Sequence, residues 1–543
     1  MRNACSMVIR RFISNFLGAA LAVCACATAV SQHKTTPSAI DSYTQSESLI
    51  RAHQWDRGLE TIRQLLKEHP RDPKILNLTG IAWTGKGNLK EANTYFRQAL
   101  QIDPEFVPSL KNLSVNEFTL GDLASADRHL QLALKHAPED PVIDLYLGEI
   151  AYSKKNFKNS AMFLMRASQF LSRDPNLKAQ LAVSLLETGK KEAAIVLTDD
   201  LEPNTLTPPT QFALGFTLAQ SEMPDRAIPY FESLRKSDPD SYNTTYNLLV
   251  CYSGTKKYPE AIALANDEIA RGNETSELDD VLADAYEGNK QTQKAIDTLR
   301  RAIALNPDDD NNYLDFSNIC INHNDYDNGL KVIAVGLKVH PKSYRLIFER
   351  GILYAMEDRF NLAGDDFESS ARLAPESNFG YVGMGVTYLE TGNAAQAIKL
   401  LHTRLREKPN DASLLYLLGE ALLRNGANEG QPAYAEAQTA LEKSVRLDPH
   451  LCLPRVDLGE IYLGEGRYAD AVAQLEEARK IDPKEKSAYS HLAVAYRRLG
   501  KTEDAKRIIN LLKNIYQQEQ GWTRTKMKSE GEASEGSSPG GSH

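Results

Sequence analysis

Residues 80–87 read GIAWTGKG, and two architectures compete for them. A phosphate-binding loop has the form G-x-x-x-x-G-K followed by Ser or Thr, and lies between a strand and a helix. Gly80, Gly85 and Lys86 match that form, but Gly87 stands where the Mg²⁺-ligating hydroxyl belongs. The alternative is that glycine recurs at this spacing because two helices must approach closely. Other parts of the chain favour the second reading. GVTYLETGN (385–393) and GEIYLGEGR (459–467) reproduce the same frame with no lysine in place.

Prolines show why the frame recurs. Pro70, Pro104 and Pro138 are separated by 34 residues, as are Pro307, Pro341, Pro375 and Pro409, and Pro449 and Pro483 repeat the step. Ala92, Ala126, Ala261, Ala295, Ala363, Ala397, Ala471 and Ala505 occupy one further position of the same period. Self-similarity at this interval is the signature of a stacked array rather than of several unrelated domains. Within each period two helical apolar patterns follow one another, as in Leu76, Ile81 and Trp83 and then Ala92, Phe96 and Ala99. Between them lies a turn, commonly Gly-Asn, Gly-Asp or Gly-Arg, where glycine ends one helix and Asn or Asp caps the next. The repeat proline stops the second helix. A single hairpin buries too little to fold alone, so stacking on its neighbours supplies the stability.

The pattern resembles the tetratricopeptide repeat: a bulky residue at position 4, Leu-Gly at 7 and 8, Tyr at 11, Ala at 20, an aromatic or Leu at 24, Ala at 27 and Pro at 32. LYLLGEALL (415–423), VDLGEIYL (456–463) and FGYVGMGVTYLETGN (379–393) carry the first half, and EANTYFRQALQIDP (91–104) and AVAQLEEARKIDP (471–483) the second. Fourteen units begin at residues 39, 73, 107, 141, 175, 208, 242, 276, 310, 344, 378, 412, 452 and 486, covering 39–519. The resemblance implies an all-α fold, a right-handed α-solenoid superhelix of about fourteen stacked helix-turn-helix units.

Three places break the period. LEPNTLTPPT (201–210) shortens the second helix of repeat five, and Pro229 falls in the second helix of repeat six, so a kink in the superhelix is expected there, with a domain boundary as the alternative. Residues 427–432 lengthen the turn of repeat twelve, either as a tolerated surface insertion or as a partner-contacting loop. The tail 520–543 is rich in Gly, Ser and Glu and reads as disordered.

At the other end, Arg2, Arg10 and Arg11 precede the apolar run FLGAALAVCACATAV, within which Ala27-Thr28-Ala29 forms an A-x-A cleavage pattern. Residues 1–29 read as a signal peptide and 30–38 as a linker, which places the mature chain in the periplasm or outside the cell. An uncleaved membrane anchor and a lipid anchor at Cys24 or Cys26 are the alternatives. Any contact with a membrane is expected only through this segment. The formal charge of −9 becomes −12 on cleavage, because three arginines and no acid are lost. A basic surface for nucleic acid is therefore not expected. Cys251, Cys320 and Cys452 are odd in number and far apart, so they read as small buried residues rather than a disulfide framework.

No H-E-x-x-H, no G-x-S-x-G and, in the mature chain, no C-x-x-C occurs, and His129 and His136 are seven residues apart on one helix face, roughly 10 Å by helical rise. No enzyme activity, metal, cofactor or nucleotide is expected. The family resemblance implies instead that positions 2, 5, 9, 12 and 13 of each first helix line a concave groove. Repeats eight and nine would then present Glu277, Asp280, Asp284, Glu287, Asn311, Asn318 and Asn322. Repeats ten and eleven would present Phe348, Ile352, Val382, Val386 and Leu389, and repeats twelve and thirteen Tyr416, Glu420 and Glu460, with Arg497 and Arg498 closing the end. A protein or peptide with basic residues around an apolar anchor complements that layout, while a wet surface without one preferred ligand is the plainer reading. The carboxylate clamp of co-chaperone repeats is incomplete, since Lys111 has its position 5 but Val115 occupies position 9. The function implied is an interaction scaffold. The alternatives are an accessory subunit for polysaccharide or outer-membrane cargo and an obligate regulatory subunit of an enzyme complex.

Overall fold

A computed structural model describes residues 39–517; the expected signal segment, linker and tail lie outside the described residues. Among the described residues the chain is helical throughout, with no strand. Fourteen helix pairs follow one another, from Ala39–Arg51 with Trp55–Glu68 to Lys486–Arg498 with 502–517.

Gly80 lies inside the helix Pro73–Gly85, one helix of a helix-turn-helix. A Cβ built on it would stand 2.3 Å from the Phe96 ring, which is fully buried. The ring fills the space that a side chain at position 8 would need. Gly459 makes the same approach to Leu475, where an added Cβ would come within 2.5 Å. Position 8 and position 24 are thus one packing unit, and the glycines of GIAWTGKG belong to it. Lys86 completes the local account: its Nζ donates to Asp56 Oδ1 at 2.5 Å and lies 5.2 Å from the Trp83 ring centroid.

Helix starts follow the caps expected from the sequence. Asp72 and Asp140 accept from the backbone amides of Lys74 and Val142, with Pro73 and Pro141 at the first helical position, where their lack of an N–H costs nothing. Asn88, Asp122 and Asn156 cap the second helices of repeats two to four. The residue that ends the inter-helix turn adopts positive φ in every repeat, and it is not always glycine. His53, Lys155, Glu222, Lys256, Lys290, Asn324 and Asp358 take the left-handed conformation there. The i→i−5 and i→i−3 bonds of the turn hold them in it, as Met223 N donating to Leu218 O and Glu222 N to Ala219 O show. Because an L side chain disfavours this region, Glu222→Gly is expected to stabilise the protein by about 1 kcal/mol. A urea midpoint that does not rise would refute it.

The chain divides between Asn273 and Glu274 into two compact units of seven hairpins each. The division falls where repeat seven has Asn273 in place of the repeat proline and ends on Gly272 with φ of +86°. In the first unit the second helix of repeat five is only Lys191–Thr198, followed by a 3₁₀ turn at Pro203–Thr205, and Pro208 and Pro209 open the next helix. Pro229 is accommodated inside the helix Pro224–Ser237. In the second unit the insertion of repeat twelve is shared between turn and helix. Pro432 already opens the second helix, which runs 16 residues to Leu447, so the expectation that residue 432 belongs to the turn is corrected. Cys251 and Cys320 are free, buried thiols that burial pushes up to about 11. Cys452, half-buried and also pushed up to about 11 by burial, donates to the Ala478 carbonyl.

Candidate functional site

The first helices of repeats eight to thirteen carry the residues of interest, and all belong to the second unit. In repeats eight and nine, Ser276–Gly288 and Asp310–Asn322 pack on each other as successive first helices. Glu277 and Asp284 are exposed and Asp280 is half-buried between the two helices. Asp280 faces Asp315 of the neighbouring helix, carboxyl to carboxyl. Burial first, and then the charges of Asp315, Asp309 and Asp284, push the Asp280 carboxyl up to about 7. Asp315 is itself raised, chiefly by burial, although its bonds to Asp280 and Asn318 and the charge of Arg345 work the other way. Two carboxyls this close cannot both ionise cheaply, so the pair favours holding a proton.

Glu287 is held by His323, whose Nε2 lies 2.7 Å from Oε1. Asn311 accepts from Arg345, while Asn318 and Asn322 stay exposed. Further along, Glu349 in Tyr344–Met356 is almost wholly buried and accepts from Ser317 Oγ at 2.8 Å. Burial and the nearby Asp315 raise its carboxyl as well.

The apolar stretch is built around one ring. Phe348 is half-buried with its centroid 5.3 Å from buried Phe367 and 5.4 Å from Phe379. Phe379 is 55% exposed and Val386 39% exposed, whereas Ile352 and Val382 are half-buried, Val382 against the core around Leu401. Leu389 is corrected: only 5% exposed, it belongs to that core and presents nothing to solvent. Position 12 of repeat eleven thus faces the stack, although the helix Phe379–Glu390 ends at the same repeat position as its neighbours.

At repeats twelve and thirteen Tyr416 packs on the core and donates to Glu420, which Arg424 also holds at 2.7 Å. Asp457 feels the charges of Glu420, on the preceding first helix, and of Glu460, one turn along its own helix. Burial first, and then these two charges, push its carboxyl up to about 7. Its Oδ2 is buried with no hydrogen-bond partner among the described residues. Glu460, Arg497 and Arg498 are exposed.

The residues that sequence reasoning missed share a register. Asp315, Glu349 and Asp457 all hold position 6 of their repeats, beside the position 5 that was expected to face inward. An acid recurring at one repeat position was the available signal. Phe379, at position 2 of repeat eleven, was also passed over. In the first unit Glu149, on Pro141–Ser153, is pushed up to about 8 by burial and by the charge of Asp174. Lys111 is engaged by Asp140 at 2.6 Å, so its Nζ already has an anion. His129 is likewise taken, at 2.8 Å from Glu117 Oε2.

Helix pairs at a 34-residue period, with a small residue against a bulky one in each pair, define a helical-repeat interaction protein. Family models described as tetratricopeptide repeat match residues 43–105, 212–274, 281–309, 382–449 and 462–523, together more than half of the chain. The chain belongs to the tetratricopeptide-repeat family. It is 23% identical over 255 residues to the TPR repeat-containing protein YpiA of Bacillus subtilis, covering 46% of this chain and 60% of that one. To Cellulose synthase operon protein C of Pseudomonas fluorescens it is 22% identical over 456 residues, covering 79% of this chain and 33% of that one. Thus it spans 60% or less of the length of these curated relatives. The crystal structure of yeast Tom70 aligns over 88% of this chain and 92% of that one, at 17% identity and a TM-score of 0.38.

Proposed function

We propose that the chain is a non-catalytic scaffold whose second unit holds a protein or peptide segment carrying basic side chains around an apolar anchor. One juxtaposition carries the reading. The Asp280–Asp315 pair and Glu349 lie on successive first helices that lead directly to the exposed Phe379 and Val386. Burying carboxylates so close together lowers stability, and perturbed acids of this kind concentrate where a protein has work for them. A lysine or arginine between Asp280, Asp284 and Asp315 replaces the shared proton with a cation, and an apolar residue of the same segment covers Phe379. Export through residues 1–29 completes the proposal, supported by the arginines, apolar run and Ala27-Thr28-Ala29. Amino-terminal sequencing of the mature chain should then begin at Val30, and a start at Met1 would refute cleavage.

The test is affinity capture from an envelope extract with three baits: the native chain, one with Asp280, Asp284 and Glu287 changed to Lys, and one with Phe379→Ala. A partner retained by the native bait, reduced at least about tenfold on the lysine bait, and contacting it through a basic segment supports the proposal. Equal retention on all three baits refutes it. The likeness to Cellulose synthase operon protein C over 79% of this chain favours a second reading, handling of polysaccharide cargo. Retention on a cellulose or alginate column without any protein partner would select that reading.

A further inference from the structure

Among the described residues nothing covers the inner face of repeats twelve to fourteen, which carries two kinds of group. Leu453 is 46% exposed and Val494 is 40% exposed, at positions 2 and 9 of repeats thirteen and fourteen. Between and beside them lie Glu420, Asp457 and Glu460, with Arg424 the cation that faces Asp457 from the adjoining first helix. The helices Ala412–Arg424, Leu453–Gly464 and Lys486–Arg498 pack in succession, so these groups share one face about 20 Å across, taking 8–10 Å between neighbouring helix axes.

The chain itself contains a matching segment, and it starts close by. Residues 521–528 read GWTRTKMK, with one large aromatic residue, three cations and no acid. In an extended chain side chains alternate between two sides. Trp522, Arg524, Lys526 and Lys528 then fall on one side, over a span of about 20 Å at ~3.4 Å per residue. The last described helix, 502–517, ends beside the start of Lys486–Arg498, where Lys486 Nζ lies 5.1 Å from the Tyr516 ring centroid. From residue 517 to Trp522 an extended chain reaches about 17 Å. Leu453 lies at the corresponding end of the preceding first helix, about 8–10 Å away by helix spacing. The acidic stretch 529–543 follows the cations and does not interrupt them.

We propose that residues 521–528 dock on the inner face of repeats twelve to fourteen of their own chain, Trp522 against Leu453 and Val494 and the three cations along Asp457, Glu460 and Glu420. Asp457 Oδ2, buried with no hydrogen-bond partner among the described residues, adds an uncompensated acid beneath this face. The segment has the chemistry of the proposed partner, a basic stretch with an apolar anchor, and it occupies Tyr416 and Glu420 at the carboxy-terminal end of the same groove. A partner extending that far must displace it. The docking is intramolecular and needs no partner present, so it stands or falls separately from the function proposed above.

Zero-length carbodiimide coupling of the full chain tests this directly, because it joins a lysine amine to a carboxylate only when the two already touch. Peptide mapping of the monomer band is expected to show Lys526 or Lys528 joined to Glu420, Asp457 or Glu460. Trp522→Ala should lower that yield at least about fivefold, and Glu420→Gln with Glu460→Gln should redirect it to Asp457. Coupling only in a dimer band would overturn the proposal in favour of a second copy. Coupling scattered over the acidic surface, absent, or indifferent to Trp522→Ala would overturn it outright.

Discussion

Gly380→Ala is expected to cost the second unit about 3 kcal/mol or more, a large loss for adding one methyl group. A Cβ at Gly380 would stand 2.5 Å from the Phe367 carbonyl oxygen and 2.6 Å from the Ala371 amide nitrogen. Both are backbone atoms of the helix Phe360–Leu373, so no rotamer change relieves the contact. Gly383→Ala meets the Phe367 ring at 2.5 Å, where a side chain can move, and should cost a smaller 1–3 kcal/mol, roughly the usual range for overpacking. Gly364→Ala is the control. Its Cβ would touch only Thr387 Cγ2 at 3.7 Å, an ordinary contact, and helix propensity should return about 1 kcal/mol.

Repeat arrays open locally, so hydrogen exchange over residues 344–407 is the appropriate measure rather than a single global midpoint. Unchanged protection in Gly380→Ala would mean that the two helices are not in backbone contact. Phe367 also supports Phe348, and Phe348 supports Phe379. Both Gly380→Ala and Gly383→Ala should therefore weaken partner binding along with stability.

Asp280→Asn is expected to stabilise the second unit at pH 8 and to leave it nearly unchanged at pH 4.5. The sign follows from proton counts. With its carboxyl raised to about 7 by burial and by Asp315, folded Asp280 keeps its proton where the unfolded chain has released it. Stability from this group is therefore complete below about pH 4 and is lost as pH rises through about 7. A shift of this size corresponds to roughly 4 kcal/mol at 1.36 kcal/mol per unit. Partial exposure and relaxation reduce that to about 2 kcal/mol. Asp457, also raised to about 7, acts in the same window. The acids held below their usual range, Asp122, Asp200 and Glu477, titrate at lower pH and do not obscure it.

Urea midpoints of the native chain and Asp280→Asn at pH 4.5 and 8 provide the measurement. Equal midpoint differences at the two pH values would exclude a shared proton. The stabilised variant should also bind a basic partner more weakly, since the carboxylate that costs stability is the one proposed to receive the cation.

Some of this was legible in the residues alone. The period, the Gly80–Phe96 pairing of positions 8 and 24, and the Asp-Pro starts such as Asp72-Pro73 are local requirements repeated many times, and repetition makes a weak local signal strong. The left-handed turn residue was legible only where it is glycine. Lys155, Glu222 and Asp358 take the same φ because the bonds across the turn outweigh their preference. Leu389 followed its repeat position on paper but not in space, because it packs into the core around Leu401.

By itself, the sequence determined that this chain is a stack of helix hairpins and that Asp280, Asp284, Phe348 and Val386 fall on first helices. Only the tertiary structure decided that Asp280 meets Asp315. Those two residues occupy different repeat positions, 5 and 6, on different helices, and the angle at which one hairpin packs on the next brings them together. The same packing brings Glu420 of the preceding first helix to Asp457 and leaves Phe379 uncovered beside Phe348. A repeat pattern specifies what each hairpin buries. The electrostatics of a shared face depend on distances between hairpins, and those arise only when the array is packed.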